Sequence, residues 1–302
     1  TPGYGAPEIV NNISTNNTYS DVYSFALLAY ELLTTISPFE GELVINGGEE
    51  ESWDCDDTGT EENSEDFYAK AERGELPWVN DLIDTRNYND KGIPPKIVIS
   101  KGIMELFQKT FSYVARNNAN ERPSMREWYD AIDKASCALI YCKKCKNAFY
   151  IGTDICPFCD ETKDRAYLAQ IYDILNLNEI VAEINSEGYA EKYKLEEKEI
   201  NNLRIKRIGV VAINKLTYLF AEQVKNTYSE DSYEEKAISI YNEGNSFTIE
   251  NHLNIRLNIY ENNKFLISLE PEKKIEVKEL EKILVSLKFN EFKERRIFFR
   301  KI

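Results

Sequence analysis

Two pairs of cysteines constrain the fold of this 302-residue chain more than any other sequence feature. Cys142 and Cys145 form one C-x-x-C pair, Cys156 and Cys159 form another, and ten residues separate the two pairs. Each pair can place two thiolates on one turn. A hairpin between the pairs, with residues 152–154 at its tip, would bring four sulfurs to one zinc ion at about 2.3 Å each. A closed four-thiolate site leaves no open position for catalysis, so we expect one structural zinc in a zinc ribbon.

Three other uses of these cysteines compete with zinc: disulfide bonds, a redox-active C-x-x-C motif and an iron–sulfur cluster. A redox motif does not explain a second pair so close by, and disulfides are rare in cytosolic proteins. The spacing favours structural zinc over all three. Of the two remaining cysteines, we expect Cys137 to pack as a small apolar residue and Cys55 to be a free thiol.

Residues 20–35, SDVYSFALLAYELLTT, predict a helix that is apolar on nearly every side. Ser20 is a good N-cap residue, and Asp21 would lie at the positive end of the helix dipole. A helix with apolar residues all round needs neighbours on every side, so we expect a buried central helix in a helical domain. This segment is too short and too polar at its ends to span a bilayer.

Three motifs in chain order resemble the larger lobe of a protein kinase. Residues 1–9, TPGYGAPEI, resemble the end of an activation segment that carries the A-P-E signature. Residues 21–26, DVYSFA, resemble the start of the family's buried sixth helix, with Tyr23 and Ala26 in place of the usual Trp and Gly. Residues 122–128, RPSMREW, resemble the closing helix. The front of the chain is therefore similar to bacterial eukaryotic-like (Hanks-type) Ser/Thr protein kinases.

This resemblance implies a role for individual residues. The residues that match the family's structural motifs are Ala6, Pro7, Glu8, Asp21 and Arg122. Glu8 is expected to pair with Arg122 inside the lobe, and Asp21 to accept amide hydrogens from the catalytic loop. Thr1, Gly3 and Tyr4 are expected to line the loop against which a protein substrate docks.

The catalytic machinery of this family is absent from the 302 residues. A kinase needs a Gly-rich loop and a lysine on the phosphates, a catalytic-loop Asp and a magnesium-binding Asp. No G-x-G-x-x-G, H-R-D or D-F-G motif occurs in the sequence. ATP and Mg²⁺ would bind only in a full-length kinase, and we expect no catalytic residue here. The chain is then either the back portion of a longer kinase, which the missing initial methionine favours, or a non-catalytic, pseudokinase-like scaffold.

The formal net charge of −15 is unevenly distributed. Residues 1–160 carry 14 Lys and Arg against 27 Asp and Glu, a net of −13, which leaves −2 for the remainder. The acidic front half disfavours nucleic acid or an anionic membrane as the main partner. We expect a cytoplasmic protein without a transmembrane helix.

Two charged regions can each be interpreted either as solvated surface or as a binding site. Residues 49–66 hold ten acids and no base, which is typical of a solvated insertion; a divalent-cation loop is the sharper alternative, but it lacks the D-x-D-x-D-G register. The basic clusters are Lys143, Lys144 and Lys146 and then Arg204, Lys206 and Arg207. We interpret both clusters as solvated lysines and arginines rather than as a nucleic-acid surface.

The last part of the chain has a period-two pattern that predicts β-strands. Apolar residues alternate with polar ones over residues 253–259, a turn follows at 261–264, and further strands are expected at 265–269, 285–289 and 296–300. Residues 167–175 fit neither period cleanly. The pattern favours a small β-sandwich with a distant similarity to phosphopeptide-binding forkhead-associated domains, although their G-R…S-x-x-H motif is absent. His252, the single histidine, is expected in a turn or at the surface.

The predicted architecture is multidomain α+β. It consists of a partial kinase C-lobe (residues 1–136), a four-cysteine zinc ribbon (137–163) and a β-rich C-terminal domain (164–302). This combination resembles kinases of tellurite-resistance-like operons, which are encoded beside a von Willebrand A-domain protein and a type 2C protein phosphatase. The resemblance makes those two proteins, and a protein substrate, the expected partners of the ribbon and the β-domain.

Overall fold

The computed structural model of this chain describes residues 3–46, 67–175, 205–225, 235–289 and 293–302. The chain divides into two compact units, Thr1–Ala135 and Ser136–Ile302. The first unit is helical, and the second contains the four-cysteine cluster and antiparallel β-sheets. The predicted mixed α+β class is therefore confirmed. The division of the second unit at residue 163 stays a prediction.

The first unit contains one long helix and several shorter ones. Within the described residues the helices are α1 (Pro7–Val10), α2 (Thr18–Thr34), α3 (Glu42–Asn46), α4 (Phe67–Glu72), α5 (Pro95–Val98), α6 (Lys101–Phe111), α7 (Tyr113–Asn117) and α8 (Met125–Ser136). The acid-rich residues 49–66, with Cys55, lie outside the described residues.

The long helix α2 begins three residues earlier than predicted, because Asn17 and not Ser20 is its N-cap. The Asn17 side chain accepts hydrogen bonds from the backbone N–H groups of Tyr19 and Ser20. The Ser20 hydroxyl in turn accepts from the Asn17 N–H at 2.9 Å, which completes a capping box. Thr35 ends the helix in the left-handed conformation.

One side of α2 is packed and the other is open. Val22, Ala26 and Tyr30 are at most 2% exposed, whereas Leu28 is 46% and Leu32 is 74% exposed. The prediction that this helix is enclosed on every side is therefore wrong within the described residues. An all-apolar sequence indicates that every face can be buried, but it does not say that a neighbour is present on each face.

Aromatic side chains form the core of the first unit around the packed side of α2. Tyr30 lies edge-on against Trp78 and Phe107, with ring centroids 5.7 and 5.3 Å apart. Phe107 in turn contacts Trp128 on α8 at 4.9 Å. Trp78 is 1% exposed within this core. These edge-to-face contacts connect α2, α6 and α8.

The second unit begins with a two-stranded hairpin of β1 (Leu139–Tyr141) and β2 (Ala148–Tyr150). The turn of this hairpin is residues 142–147, which include the first cysteine pair; Cys142 N–H bonds the Asn147 carbonyl at 3.0 Å. The expectation that residues 152–154 form the tip of the hairpin is wrong. They make a separate turn after β2, ahead of the second cysteine pair.

Two antiparallel sheets share one apolar core in the rest of the unit. Among the described residues, one sheet has the order β4-β3-β12-β11-β8-β9 and the other the order β10-β7-β6-β5. Their strands are β3 (Tyr167–Leu175), β4 (Ile205–Ile213), β5 (Leu216–Phe220), β6 (Lys236–Asn242), β7 (Phe247–Asn251), β8 (Leu257–Glu261), β9 (Lys264–Leu269), β10 (Lys274–Val277), β11 (Ile283–Lys288) and β12 (Lys293–Lys301). A short helix, α9 (Ala221–Lys225), follows β5.

The segment that was ambiguous in the sequence is a central strand, β3, between β4 and β12. The strand predicted over residues 253–259 is shorter than expected. Leu253 lies in the loop before β8, where it is buried, and the regular pairing begins at Leu257. Asn262 and Asn263 both have positive φ in the two-residue turn between β8 and β9, as such turns require.

Candidate functional site

The four cysteines of the two C-x-x-C pairs come together as one cluster. Their four sulfur atoms all lie within 4.8 Å of one another, and the Cys142–Cys159 and Cys145–Cys156 Sγ distances are both 3.6 Å. Four sulfurs placed tetrahedrally at about 2.3 Å from a central ion are separated by about 3.8 Å. The spacing therefore fits a single tetrahedrally coordinated ion, and the cluster can hold one metal ion.

Backbone amides point at the sulfurs and shape the two turns. The Lys144 N–H donates to Cys142 Sγ at 3.4 Å, and Lys146 has a positive φ of 64° that closes the first turn. In the second turn Cys156 N–H bonds the Glu161 carbonyl at 2.8 Å, and Ile155 bridges Thr162. Each turn thus fixes two sulfurs on one side of the cluster.

The pKa values of the thiols diverge because the four groups compete for charge. Backbone hydrogen bonds, chiefly from Cys145, lower the pKa of Cys142 to about 6. The Glu161 amide lowers the pKa of Cys159, but burial and the three neighbouring thiols raise it to about 12. Burial also raises the pKa of Cys156. Four thiolates this close are stable together only when a cation balances their charge.

The structure brings Glu8 and Arg122 together although 114 residues separate them in the chain. Arg122 Nη1 donates to Glu8 Oε1 at 2.8 Å, and Nη2 donates to Glu8 Oε2 at 2.7 Å, so the pair is bidentate. The Arg122 side chain is fully buried and that of Glu8 is 13% exposed. Burial raises the pKa of Glu8, but hydrogen bonds from Arg122 and the chain's own backbone outweigh it and hold that pKa below 4.5.

Each of the three guanidinium nitrogens of Arg122 donates at least one hydrogen bond. Its Nε donates to the Ala115 carbonyl at 3.1 Å, and Nη1 also donates to the Tyr19 carbonyl at 3.0 Å. The guanidinium lies over the Tyr23 ring, 4.7 Å from the centroid. The same side chain therefore joins α1, the start of α2 and α7.

The remaining residues of the A-P-E and sixth-helix motifs lie on either side of this ion pair. Ala6 is the N-cap of α1 and is 1% exposed, and Pro7 is its buried first residue. Asp21 is exposed in the first turn of α2. No described residue donates a hydrogen bond to its carboxylate.

The predicted substrate-docking loop is held by two glutamates that sequence reasoning missed. Gly3, at a φ of 82°, donates its N–H to Glu72 Oε1 at 3.1 Å. Tyr4 donates its hydroxyl to Glu31 Oε2 at 2.6 Å, and this hydrogen bond raises the pKa of Tyr4. No spacing rule in the sequence links these pairs, because 69 and 27 residues separate the partners. Thr1 lies outside the described residues.

The cysteine and the histidine that were assigned no ligand have ordinary contacts. Cys137 is half-buried beside the β-sheet core and accepts a hydrogen bond from Gln223 at 3.4 Å. His252 follows β7, is half-buried, and its Nε2 lies 2.6 Å from the buried Ser239 hydroxyl. Of the second basic cluster, the structure describes the exposed side chain of Arg207.

Within the described ranges, no helix has the length and apolar character needed to cross a bilayer. No family model and no curated protein matches this sequence. Among solved structures, the chain is similar to a fragment of the twitchin kinase of C. elegans, described as an autoregulated protein kinase with immunoglobulin domains. The identity is 11% over 99% of this chain and 53% of that one, so this chain spans about half the length of the fragment. The TM-score of 0.24 is too low to carry an argument.

Proposed function

We propose that the first unit is the C-terminal portion of a Ser/Thr protein kinase, and that the ribbon and the β-sheets after it recruit a partner or substrate protein. The observation that carries the proposal is the buried, bidentate Glu8–Arg122 pair. It joins the first of the three kinase-like motifs to the last. In such a lobe the pair holds the end of the activation segment against the last helices, which keeps the substrate-docking loop in place.

The open side of α2 also supports the proposal. Asp21, Leu28 and Leu32 are exposed on this side at helical spacing, whereas the Phe25 ring between them contacts Trp128 at a centroid distance of 5.4 Å. In a complete kinase lobe this stripe would lie under the catalytic loop, and Asp21 would accept the amide hydrogens of that loop. ATP and Mg²⁺ would bind to elements that precede the A-P-E motif, so no step of phosphoryl transfer is assigned to residues of this chain.

The coding sequence upstream of Thr1 tests the kinase assignment. We expect a Gly-rich loop, an H-R-D motif and a D-F-G motif there, and a longer protein that transfers phosphate from ATP to a protein substrate. A stop codon followed by a usable start site would contradict the assignment and favour the non-catalytic scaffold. Co-purification of the longer protein with a von Willebrand A-domain protein or a type 2C phosphatase would test the proposed partners.

For the cysteine cluster we propose one structural zinc ion. Four thiolates with tetrahedral spacing suit zinc, and a hairpin as short as β1–β2 gains folding free energy from a bound metal. When bound, the ion would balance the charge of the four thiolates and fix the two turns. The ion would have no open coordination position.

Metal analysis of the purified chain tests this proposal. We expect one equivalent of zinc per chain, released by Cys142→Ser combined with Cys159→Ser. Cys137→Ser is the matched control, because this cysteine lies outside the cluster, and it should keep the full equivalent. Iron in the anaerobically purified protein, or no metal in the reduced protein, would contradict structural zinc.

A further inference from the structure

A cleft of about 940 Å³ lies within the second unit, between the cysteine turns and one end of the two β-sheets. One wall comes from the first cysteine turn and from residues 161–165. The other comes from the turns that connect β4 to β5 and β6 to β7. The volume falls in the range of ligand sites, which is about 300–1,000 Å³. Cys142 of the cysteine cluster lies at the edge of this space, and none of the kinase-like motifs lines it.

The cleft is basic although the chain as a whole is acidic. The charged residues that line it are Lys143, Lys146, Lys163, Arg165, Lys215, Glu161 and Asp164. Apart from the Cys142 thiol of the metal cluster, five positive and two negative side chains give a net charge of +3, against −15 for the whole chain. A cleft lined by one sign of charge concentrates ligands of the opposite sign.

Three of these cations have no carboxylate partner in the part of the chain that the structure describes. Lys143 forms ion pairs with both carboxylates of the cleft: its Nζ lies 2.9 Å from Asp164 Oδ1 and 3.3 Å from Glu161 Oε1. Lys146, Arg165 and Lys215 are exposed and form no ion pair with any described residue; the Lys146 ammonium donates to the Lys143 carbonyl. The uncompensated charges come from three separate segments that line the cleft, namely the first cysteine turn, residues 161–165 and the connection between β4 and β5.

Apolar groups accompany these charges. Tyr141, 67% exposed, and Leu216, 40% exposed, both line the cleft. Such side chains can contact an apolar residue of a bound peptide. A single phosphoryl group prefers convergent arginine forks, whereas mainly lysines on separate turns match carboxylates distributed along a chain. We infer that this cleft binds an acidic peptide segment of a partner protein, rich in Asp and Glu and carrying one large apolar residue.

This inference rests on the proposed recruiting role of the second unit and not on the kinase assignment. Binding can be measured on the metal-loaded chain as it is, so a failure of the upstream motifs would leave the result unaffected. The probe is a fluorescein-labelled peptide of eight glutamates around a central phenylalanine. We expect saturable binding by fluorescence anisotropy that weakens as salt rises, since the Debye length falls from about 10 Å at 0.1 M to about 3 Å at 1 M.

Charge reversal locates the site. Arg165→Glu and Lys215→Glu should each weaken binding about tenfold, which is what a reversed charge near a partly screened partner can change. Lys144→Glu is the matched control. Lys144 is exposed on the first cysteine turn but does not line the cleft, so its variant should bind the peptide almost normally. Retained metal and an unchanged far-UV spectrum would show that each variant is folded.

Three outcomes would overturn the inference. The first is equal binding of a control peptide in which all eight glutamates are replaced by glutamine, which would mean that charge does not select the ligand. Tighter binding of single-stranded DNA, or of a single-phosphoserine peptide of equal net charge, would assign the cleft to another ligand. If the variants fail to fold, the glutamine peptide and the salt series on the unmodified chain still decide the question.

Discussion

In the described residues, each unit of this protein contains a fully buried arginine side chain paired with a carboxylate, and the two pairs differ in how many hydrogen bonds they make. Arg122 and Arg295 both have fully buried side chains, beside Glu8 at 13% and Asp173 at 15% exposure. Arg122 makes a bidentate pair and donates to two carbonyls. Arg295 approaches Asp173 through one nitrogen at 2.5 Å and donates to the Gln223 carbonyl at 3.1 Å, but its Nε has no hydrogen-bond partner among the described residues.

The difference teaches what a buried ion pair can contribute. Removing two charges from water costs several kcal/mol per ion, and only good geometry with every donor used recovers that cost. In the first pair every nitrogen of the Arg122 guanidinium has a hydrogen-bond partner, and the pair connects segments far apart in the chain. The second is a direct cross-strand pair of β3 and β12, where the sheet already supplies the connection. Burial lowers the pKa of Arg295, which is the sign of an incompletely compensated charge.

The largest expected effect is that of Arg122→Met, which leaves the buried Glu8 carboxylate unpaired. The free energy of unfolding of the first unit should fall by about 3–5 kcal/mol. All three tryptophans, Trp53, Trp78 and Trp128, lie in this unit, so urea unfolding followed by tryptophan fluorescence reports it alone. Arg126→Met, in the exposed pair with Asp130, should change the value by less than about 0.5 kcal/mol. Equal effects of the two substitutions would break the comparison.

A smaller loss is expected for Arg295→Met, about 1–3 kcal/mol, because Arg295 approaches Asp173 through one nitrogen only and the β3–β12 pairing already connects the two strands. The added change Asp173→Leu should recover most of that loss, since two apolar side chains would then face each other across β3 and β12. Hydrogen exchange of the β12 amides measures both effects. The control is Arg296→Met on the same strand, whose side chain is 39% exposed. A double variant less stable than Arg295→Met would show that the second pair is as effective as the first.

Acid should weaken the first pair in a defined direction. The pKa of Glu8 is held below its ordinary value of 4.5, so its stabilising contribution is present above that value and is lost as the pH falls through the lowered pKa. Glu8→Gln should remove this part of the pH dependence between about pH 5 and pH 2. Urea midpoints by tryptophan fluorescence across this range test it, with Glu105→Gln as the exposed control. An unchanged slope in Glu8→Gln would contradict the assignment.

The smallest expected effect concerns the start of α2, whose Tyr19 carbonyl is a partner of Arg122. Asn17→Ala removes the side chain that caps the helix and should cost about 1 kcal/mol. Ser14→Ala is the nearby control, because this exposed serine contacts the Asn17 amide without capping the helix. If Asn17→Ala equalled Arg122→Met in the same fluorescence assay, the ion pair would be secondary to the cap.

The sequence allowed the first pair to be expected but not the second. Glu8 and Arg122 each belong to a recognisable sequence motif, and the spacing of the four cysteines is visible in the sequence. Asp173 and Arg295 meet because of the register between β3 and β12, which no local pattern encodes. β3 itself was ambiguous because Leu168 and Tyr172 on one face are nearly as apolar as Ala169 and Ile171 on the other.

The sequence also did not fix the start of α2, because two nearby residues could each serve as its N-cap. Asn17 and Ser20 are both good N-caps, and the polar residues between them hide the first turn of α2. The open side of α2 could not be predicted, because an apolar side chain does not reveal whether anything covers it. The basic cleft was equally hidden, since Lys146, Arg165 and Lys215 stand far apart in the sequence and only the folded turns bring them around one space.

The place of β12 in its sheet affects the order in which the second unit can assemble. β12 lies between β3 and β11 and pairs with β3 over nine residues, from Tyr167–Lys301 to Leu175–Lys293. During translation β12 is made after every other strand of that sheet. Until it is made, β3 and β4 cannot be joined through it to β11, β8 and β9. Closure of this sheet therefore has to follow the synthesis of β12 and depends on contacts that are distant in sequence.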